Sequence, residues 1–189
     1  MRKKTIIALS SLYVILMTVT FIIQHMNGDA SKWTEMVGRT ATSLLPLLLL
    51  FMKRVPFPTP LIVSYYALIF CTFFLGATIK FYDRFHWWDT AMHYVGSAFM
   101  AFVAVSLYKT FIPAQTEKTV SSWLLFLFVL SFAAFSSSIW EALEFAGSEF
   151  GSLEEDSQKD TMTDMISGLA GALTVALIAV IRRLSGIYK

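Results

Sequence analysis

The chain has 189 residues, of which 56% are hydrophobic and only 15% are charged. Soluble domains contain about 45–50% apolar and about 25% charged residues. The higher apolar and lower charged fractions of this chain, with its mean hydropathy of +0.63, exclude an ordinary soluble domain. The formal charge of +2 excludes a strongly basic nucleic-acid binder, and the single cysteine, Cys71, excludes an internal disulfide framework. The composition therefore predicts a membrane protein whose main partner is the lipid bilayer, with no nucleic-acid partner.

Six apolar segments predict membrane spans, because a bilayer core of about 30 Å requires about 20 apolar residues in a helix. The first segment follows three basic residues, and we expect it to be retained because it exceeds the apolar length of a signal peptide. The second is the least regular, with Arg39 near its start and Pro46 inside. The predicted spans are residues 5–23, 37–52, 59–79, 89–108, 120–140 and 162–181. The sequence thus predicts an all-α fold: one integral membrane domain over residues 1–189, built as a six-span transmembrane helix bundle.

The distribution of basic residues predicts how the spans are oriented. With the N-terminus inside, the inner segments hold 10 of the 15 basic residues and the outer segments hold 5. Basic residues favour the cytoplasmic side of a membrane. Both termini are therefore predicted to be cytoplasmic, in a multi-pass protein of the cell (inner or plasma) membrane. In this orientation 12 of the 13 acidic residues lie outside, and only Glu117 lies inside.

Three pairs of polar residues lie at the outer ends of the last three predicted spans. The two members of each pair are three or four residues apart, so they share one face of a helix. The pairs are Asp89 with His93, Glu141 with Glu144, and Asp160 with Asp164. An ionisable group costs about 2.5–3.5 kcal/mol at the middle of a membrane and less near its edge. We therefore expect these side chains to face one another or a wet cavity rather than lipid.

Carboxylates with one imidazole are typical ligands of hard or borderline divalent cations such as Mg²⁺, Mn²⁺, Ca²⁺ or Zn²⁺. Bundle proteins also assemble metal sites from acidic residues on facing helices. The hypothesis is a divalent metal ion held by Asp89, His93, Glu141 and Asp164. Glu144 and Asp160 are then the candidates for a catalytic base or for a partner that orients His93. Capping of a helix start is the alternative role for Asp89 and Asp160.

A face of small residues on the sixth predicted span favours close contact with another helix. It is formed by Gly168, Ala172 and Ala176, with Gly171 alongside. Packing within the chain is one use for this face, and contact between copies in an oligomer is the other.

The polar motifs resemble those of a known family over roughly residues 81–181. Its marks are Tyr82-Asp83-Arg84 with His93 and Gly96, Trp140-Glu141 with Glu144, and Asp160-Thr161 with Asp164, Gly168 and Gly171-Ala172. The pattern resembles the YjdF-like family of bacterial inner-membrane proteins and, more distantly, VanZ-like membrane proteins. VanZ-like proteins usually carry Gln and Arg after the Glu, where this chain has Glu144 and an acidic loop. The resemblance implies that Asp89, His93, Glu141 and Asp164 form one recurring group, and it implies no particular activity.

Three functions remain open from the sequence. The first is an outward-facing metal site in which an activated water attacks a lipid-linked or envelope substrate. The second is a small-solute or proton-coupled transporter that uses the carboxylates as relays. The third is a non-enzymatic assembly or interaction protein in which the polar residues only join helices. The sequence has no serine-hydrolase elbow, no phosphate-binding glycine loop and no haem or flavin motif, so it leaves open whether the protein is an enzyme.

Overall fold

The computed structural model describes residues 2–26, 33–117, 119–149 and 157–184. Within these ranges all regular structure is helical, which confirms the predicted all-α class. The helices in chain order are α1 (Arg2–Met26), α2 (Trp33–Leu44) with a 3₁₀ helix (Leu45–Phe51), α3 (Thr59–Ile69) with a π-helix (Phe70–Thr78), α4 (Phe81–Arg84), α5 (Trp87–Phe111), α6 (Ala114–Glu117), α7 (Ser122–Glu149) and α8 (Gln158–Leu184).

Among the described residues, five helices are long and apolar enough to cross a membrane. They are Arg2–Met26, Thr59–Thr78, Trp87–Phe111, Ser122–Glu149 and Gln158–Leu184. The predicted second span, residues 37–52, does not join them, because its apolar helical part runs only from Met36 to Phe51. Pro46 explains the change of helix type there: proline has no N–H to donate to an α-helical ladder, and it lies at the start of the 3₁₀ helix. Six regular spans are therefore not confirmed.

The predicted third span forms a helix of two kinds. After α3 the hydrogen bonds lengthen to a spacing of five residues, as in Ile79 N–H to the Phe74 carbonyl at 2.8 Å. Lys80 then adopts a left-handed φ of 65°, which turns the chain out of the helix. The apolar pattern predicts a helix in this segment, but it carries no signal for the wider π turn.

The chain divides into two compact units, residues 1–81 and 82–189. In the first unit, side chains of α1 form hydrogen bonds with α3. The Ser10 hydroxyl lies 2.6 Å from the Tyr66 hydroxyl, and the Tyr13 hydroxyl donates to the Ile69 carbonyl at 2.8 Å. Because residue numbers rise together along both helices, α1 and α3 run in the same direction.

The second unit is a three-helix arrangement of α5, α7 and α8 around a core of mainly small residues. Ser167 donates to the Thr90 carbonyl at 2.7 Å, and the Tyr94 hydroxyl donates to Thr174 at 2.9 Å, so α5 and α8 run in the same direction. Contacts of His93 with Glu141, of Ser97 with Ala133 and of Tyr108 with Phe128 show that α7 is antiparallel to α5, because residue numbers fall along α7 as they rise along α5. The buried core is formed by Ala101, Ala104, Val105, Tyr108, Leu125, Val129, Ala133, Ala172, Val175, Ala176 and Ala179.

The contact between α5 and α8 depends on a glycine. A Cβ atom at Gly171 would collide with the backbone carbonyl of Tyr94, and one at Gly168 would collide with the side chain of Ser137. Ala172 and Ala176 on the same helix are completely buried. The small-residue face of α8 therefore packs inside the second unit. The predicted alternative use of this face, contact between copies in an oligomer, is not supported.

We predict that Gly171→Ala destabilises the protein by about 1–3 kcal/mol, because the added methyl forces two backbones apart. The matched control is Gly96→Ala in α5, where a Cβ atom would meet nothing within 4 Å. Gly96→Ala should leave stability unchanged or slightly raised, since alanine favours the helix. Thermal unfolding of both variants in detergent measures the difference. Equal loss of stability in the two variants would contradict the role given to Gly171.

Candidate functional site

Five of the six polar residues singled out in the sequence meet at one end of the second unit. The fold brings this about because α5 and α8 begin at the same end at which α7 finishes. We call this group the His93 cluster; its members are Asp89, His93, Glu141, Glu144 and Asp164. Three helices thus contribute to one polar group, as the one-sided placement of the motifs predicts.

The imidazole of His93 lies at the centre of the cluster. Its Nδ1 is 2.9 Å from Oε1 of Glu141, so a buried ring and a buried carboxylate join α5 to α7. Its Nε2 is 3.5 Å from Oδ1 of Asp89 and 3.8 Å from Oε2 of Glu144. The two ring nitrogens therefore face different carboxylates: Nδ1 faces Glu141, and Nε2 faces Asp89 and Glu144.

Two sets of potential metal ligands share His93. In the first set, one ligand atom each from Asp89, His93 and Asp164 lies within 4.8 Å of the others. In the second, the same holds for His93, Glu141 and Glu144. Metal–oxygen bonds of about 2.0–2.6 Å allow two ligand atoms on opposite sides of one ion to be about 5 Å apart. Either set thus has the donor types and the proximity that a divalent ion needs.

Burial is graded across the His93 cluster. His93, Glu141 and Asp164 are buried, whereas the Asp89 side chain is 41% exposed and that of Glu144 is 27% exposed. The three buried members lie between helices, and Asp89 and Glu144 lie at the exposed edge of the cluster.

The His93 cluster is rich in acidic groups. Four carboxylates lie around one imidazole. Burying ionised carboxylates is costly unless they are paired or coordinate a metal. Proton uptake or a bound cation reduces this cost, and a divalent ion neutralises two carboxylates at once.

Asp160 is placed differently from the other five residues. It lies in the first turn of α8, where its backbone N–H donates to the Ser157 hydroxyl oxygen at 3.2 Å, and that hydroxyl donates to Oδ2 of Asp160 at 2.5 Å. The Ser157 hydroxyl thus caps the start of the helix, and the Asp160 carboxylate supports this cap from the third helical residue. Asp160 is exposed and belongs to neither ligand set. The helix cap is therefore Ser157 rather than Asp160, and Asp160 lies outside both ligand sets.

Ser167 is a residue of the site region that the sequence reasoning did not single out. Its hydroxyl donates to the Thr90 carbonyl, and this bond ties α8 to α5 next to Asp89 and Asp164. The available signal is its spacing: Ser167 follows Asp164 by three residues and therefore lies on the same helix face.

At its other end the second unit is closed by an arginine. Arg183 of α8 donates to the carbonyls of Glu117 and Val120 and lies 3.4 Å from the hydroxyl of Tyr108. The guanidinium thus satisfies backbone oxygens of the connection between α5 and α7. The two ends of this unit are chemically distinct, one acidic and the other basic.

Comparison with known proteins gives a family and no activity. No significant match was found among curated proteins or among solved structures. The likeness to VanZ-like proteins has no support from these comparisons, and the YjdF-like assignment stays a resemblance. One family model, described as "Predicted membrane protein (DUF2238)", matches residues 7–185. Because this match spans nearly the whole chain, the protein belongs to the DUF2238 family of membrane proteins.

Proposed function

We propose that this membrane protein crosses the bilayer six times and holds a divalent cation in the His93 cluster, where it acts on a lipid-linked or envelope substrate. The observation that carries the proposal is the meeting of one buried imidazole with carboxylates from three helices. The proposal has two parts: a membrane topology in which the cluster lies outside, and a separate role for each side chain of the cluster.

The sixth crossing in this proposal is the apolar helical segment from Met36 to Phe51. Its nine residues in α2 cover about 14 Å, and the seven residues of the 3₁₀ helix cover about 14 Å because each rises about 2.0 Å. Together they reach about 28 Å, which is close to a hydrocarbon core of about 30 Å. The 3₁₀ helix thus gives a short segment the length of a span.

Contacts inside the first unit agree with such a crossing. The end of the 3₁₀ helix is next to the start of α1, since Lys3 Nζ donates to the Leu50 carbonyl at 2.9 Å. Midway along, the Tyr65 hydroxyl donates to the Thr42 carbonyl at 2.5 Å. The segment therefore runs back along α1 from its C-terminal end to its N-terminal end, antiparallel to the two long helices beside it.

Six crossings bring both termini to one side of the membrane, and the basic residues make that side cytoplasmic. The proposed location is the plasma membrane. The His93 cluster then lies at the outer surface, near the lipid headgroups.

We predict that reporters fused to either terminus detect the cytoplasm. Green fluorescent protein should fluoresce at both ends, and alkaline phosphatase, which is active only after export, should be inactive at both. Phosphatase fused after Ser148, at the end of α7, should be active and serves as the control. Five crossings would instead give active phosphatase at exactly one terminus, and this result would refute the proposed topology.

Within the cluster we assign the two sides of the imidazole to different tasks. Glu141 at Nδ1 orients the ring and keeps the proton on that nitrogen, as carboxylates behind metal-bound histidines do. Nε2 is then available as a ligand together with Asp89 and Asp164. Glu144, partly exposed and 3.8 Å from Nε2, is placed to accept a proton from a water molecule.

A divalent ion held by His93, Asp89 and Asp164 would supply a polarised water as nucleophile. The buried Glu141 holds the imidazole in place, and the partly exposed Glu144 faces the side from which a substrate would enter. The proposed substrate is a headgroup ester or a lipid-linked phosphate at the membrane surface. Glu144 would take a proton from the water, and the water oxygen would bond to the carbonyl carbon or the phosphorus. The bond to the leaving oxygen would then break, and the proton on Glu144 would pass to that oxygen.

We predict that purified wild-type protein binds Mn²⁺ or Zn²⁺ and that His93→Ala and Asp164→Asn reduce the bound metal at least tenfold. Elemental analysis after incubation with each metal and removal of the excess measures this. His86→Ala and Asp160→Asn are the matched controls, because His86 and Asp160 are exposed and belong to neither ligand set. Both controls should retain the wild-type metal content. Equal and negligible metal in the wild type and in His93→Ala would refute the metal site.

A purely structural cluster is the competing explanation, and thermal stability separates it from a metal site. If the side chains only join helices, Glu141→Gln and Asp164→Asn lower the melting temperature and added metal changes nothing. If they hold a cation, metal raises the melting temperature of the wild type, since a ligand that binds only the folded state stabilises it. Asp164→Asn should then lose this rise.

A further inference from the structure

A second polar feature lies in the first unit, at the N-terminal end of α1. It is a cavity of about 460 Å³ lined by Arg2, Lys3, Val55 and Thr59. Two of these four residues are cations. Neither residues 2–4 nor residues 52–60 contain an acidic residue. The walls of the cavity therefore attract anions.

Backbone carbonyls hold both cations in place. Arg2 Nη1 donates to the Val55 carbonyl at 2.8 Å, and Lys3 Nζ donates to the Leu50 carbonyl at 2.9 Å. Each bond uses one donor, whereas a guanidinium has five N–H groups and an ammonium has three. The cations are thus positioned and still able to bind an anion.

The start of α3 adds to this positive field. Thr59 is the first residue of α3, and no side chain caps the helix there. The N-terminus of a helix carries a partial positive charge and favours anions, phosphate in particular. Thr59 also lines the cavity, so the helix end and the two cations face the same space.

The surroundings of the cavity favour a lipid over a free anion. Ile7, one turn beyond Lys3, is 50% exposed, and Phe51, next to Leu50, is 89% exposed. Exposed apolar side chains thus lie near the residues that form the cavity, on α1 and on the 3₁₀ helix. An acyl chain could follow them while its phosphate enters the cavity.

We propose that this cavity binds the phosphate of an anionic phospholipid headgroup. Basic residues immediately beside a membrane helix are typical of such binding. The site uses no residue of the His93 cluster, so failure of the metal proposal leaves it intact. In the orientation proposed above it faces the cytoplasmic leaflet.

The test is native mass spectrometry of the protein released from nanodiscs of phosphatidylcholine and phosphatidylglycerol in equal amounts. The wild type should retain phosphatidylglycerol in preference. The double variant Arg2→Gln/Lys3→Gln should lose this preference, by about fivefold for each cation removed. The matched control is Lys53→Gln/Arg54→Gln, which removes two exposed cations that do not line the cavity. The control should keep most of the preference.

A third variant guards against loss of folding. Thr59→Glu adds a carboxylate that suits a helix N-terminus and can pair with Arg2 or Lys3, so the melting temperature should not fall. It should nevertheless abolish the preference for phosphatidylglycerol, while Thr59→Gln should not. The proposal is overturned if the control loses as much preference as Arg2→Gln/Lys3→Gln, because the attraction is then diffuse. It is also overturned if inorganic phosphate displaces the lipid at equal concentration, because the site then recognises a free anion.

Discussion

Lipid offers no hydrogen-bond partner, and this constraint governs the whole structure. A polar group inside the membrane must find its hydrogen-bond partner within the chain, whereas in a soluble protein water can be that partner. The chain meets the constraint with pairs that join helices. Tyr13 donates to the Ile69 carbonyl, Tyr65 to that of Thr42, and His93 lies against Glu141. The pair of His93 and Glu141 is the one made of ionisable groups, and it lies among three further carboxylates. For this reason the proposed function is located there.

Close backbone packing makes the His93 cluster compact. Gly171 lets α8 approach the backbone of α5 at Tyr94, one residue after His93. That approach brings Asp164, on the same helix, within reach of the imidazole. The glycine and the carboxylate thus act together, although they belong to different motifs. A polar cluster in a membrane needs both kinds of residue. The small residue determines how closely two helices approach, and that distance decides whether their charged side chains can interact.

The sequence predicted the helices and the site region for physical reasons that leave a clear trace in composition. Long apolar runs and spacings of three or four residues gave the all-α class and placed Asp89, His93 and Glu141 on facing surfaces. Pro46 marks where the second span departs from an α-helix, but the 3₁₀ geometry that follows depends on packing against α1. The π-helix from Phe70 to Thr78 has no counterpart in the hydropathy pattern. Nor does spacing reveal which ring nitrogen of His93 faces Glu141, because that depends on a rotamer.

Arg183 and Asp164 stand at opposite ends of the same helix, and this has a consequence for biogenesis. Chains enter the membrane in the order of their synthesis, N-terminal elements first. The hairpin of α5 and α7 can pair His93 with Glu141 as soon as both helices are inserted. Only the arrival of α8 adds Asp164 at one end and fastens the loop carbonyls of Glu117 and Val120 at the other. Insertion of α8 therefore has two effects at once: it completes the His93 cluster, and it fixes the hairpin of α5 and α7 in place.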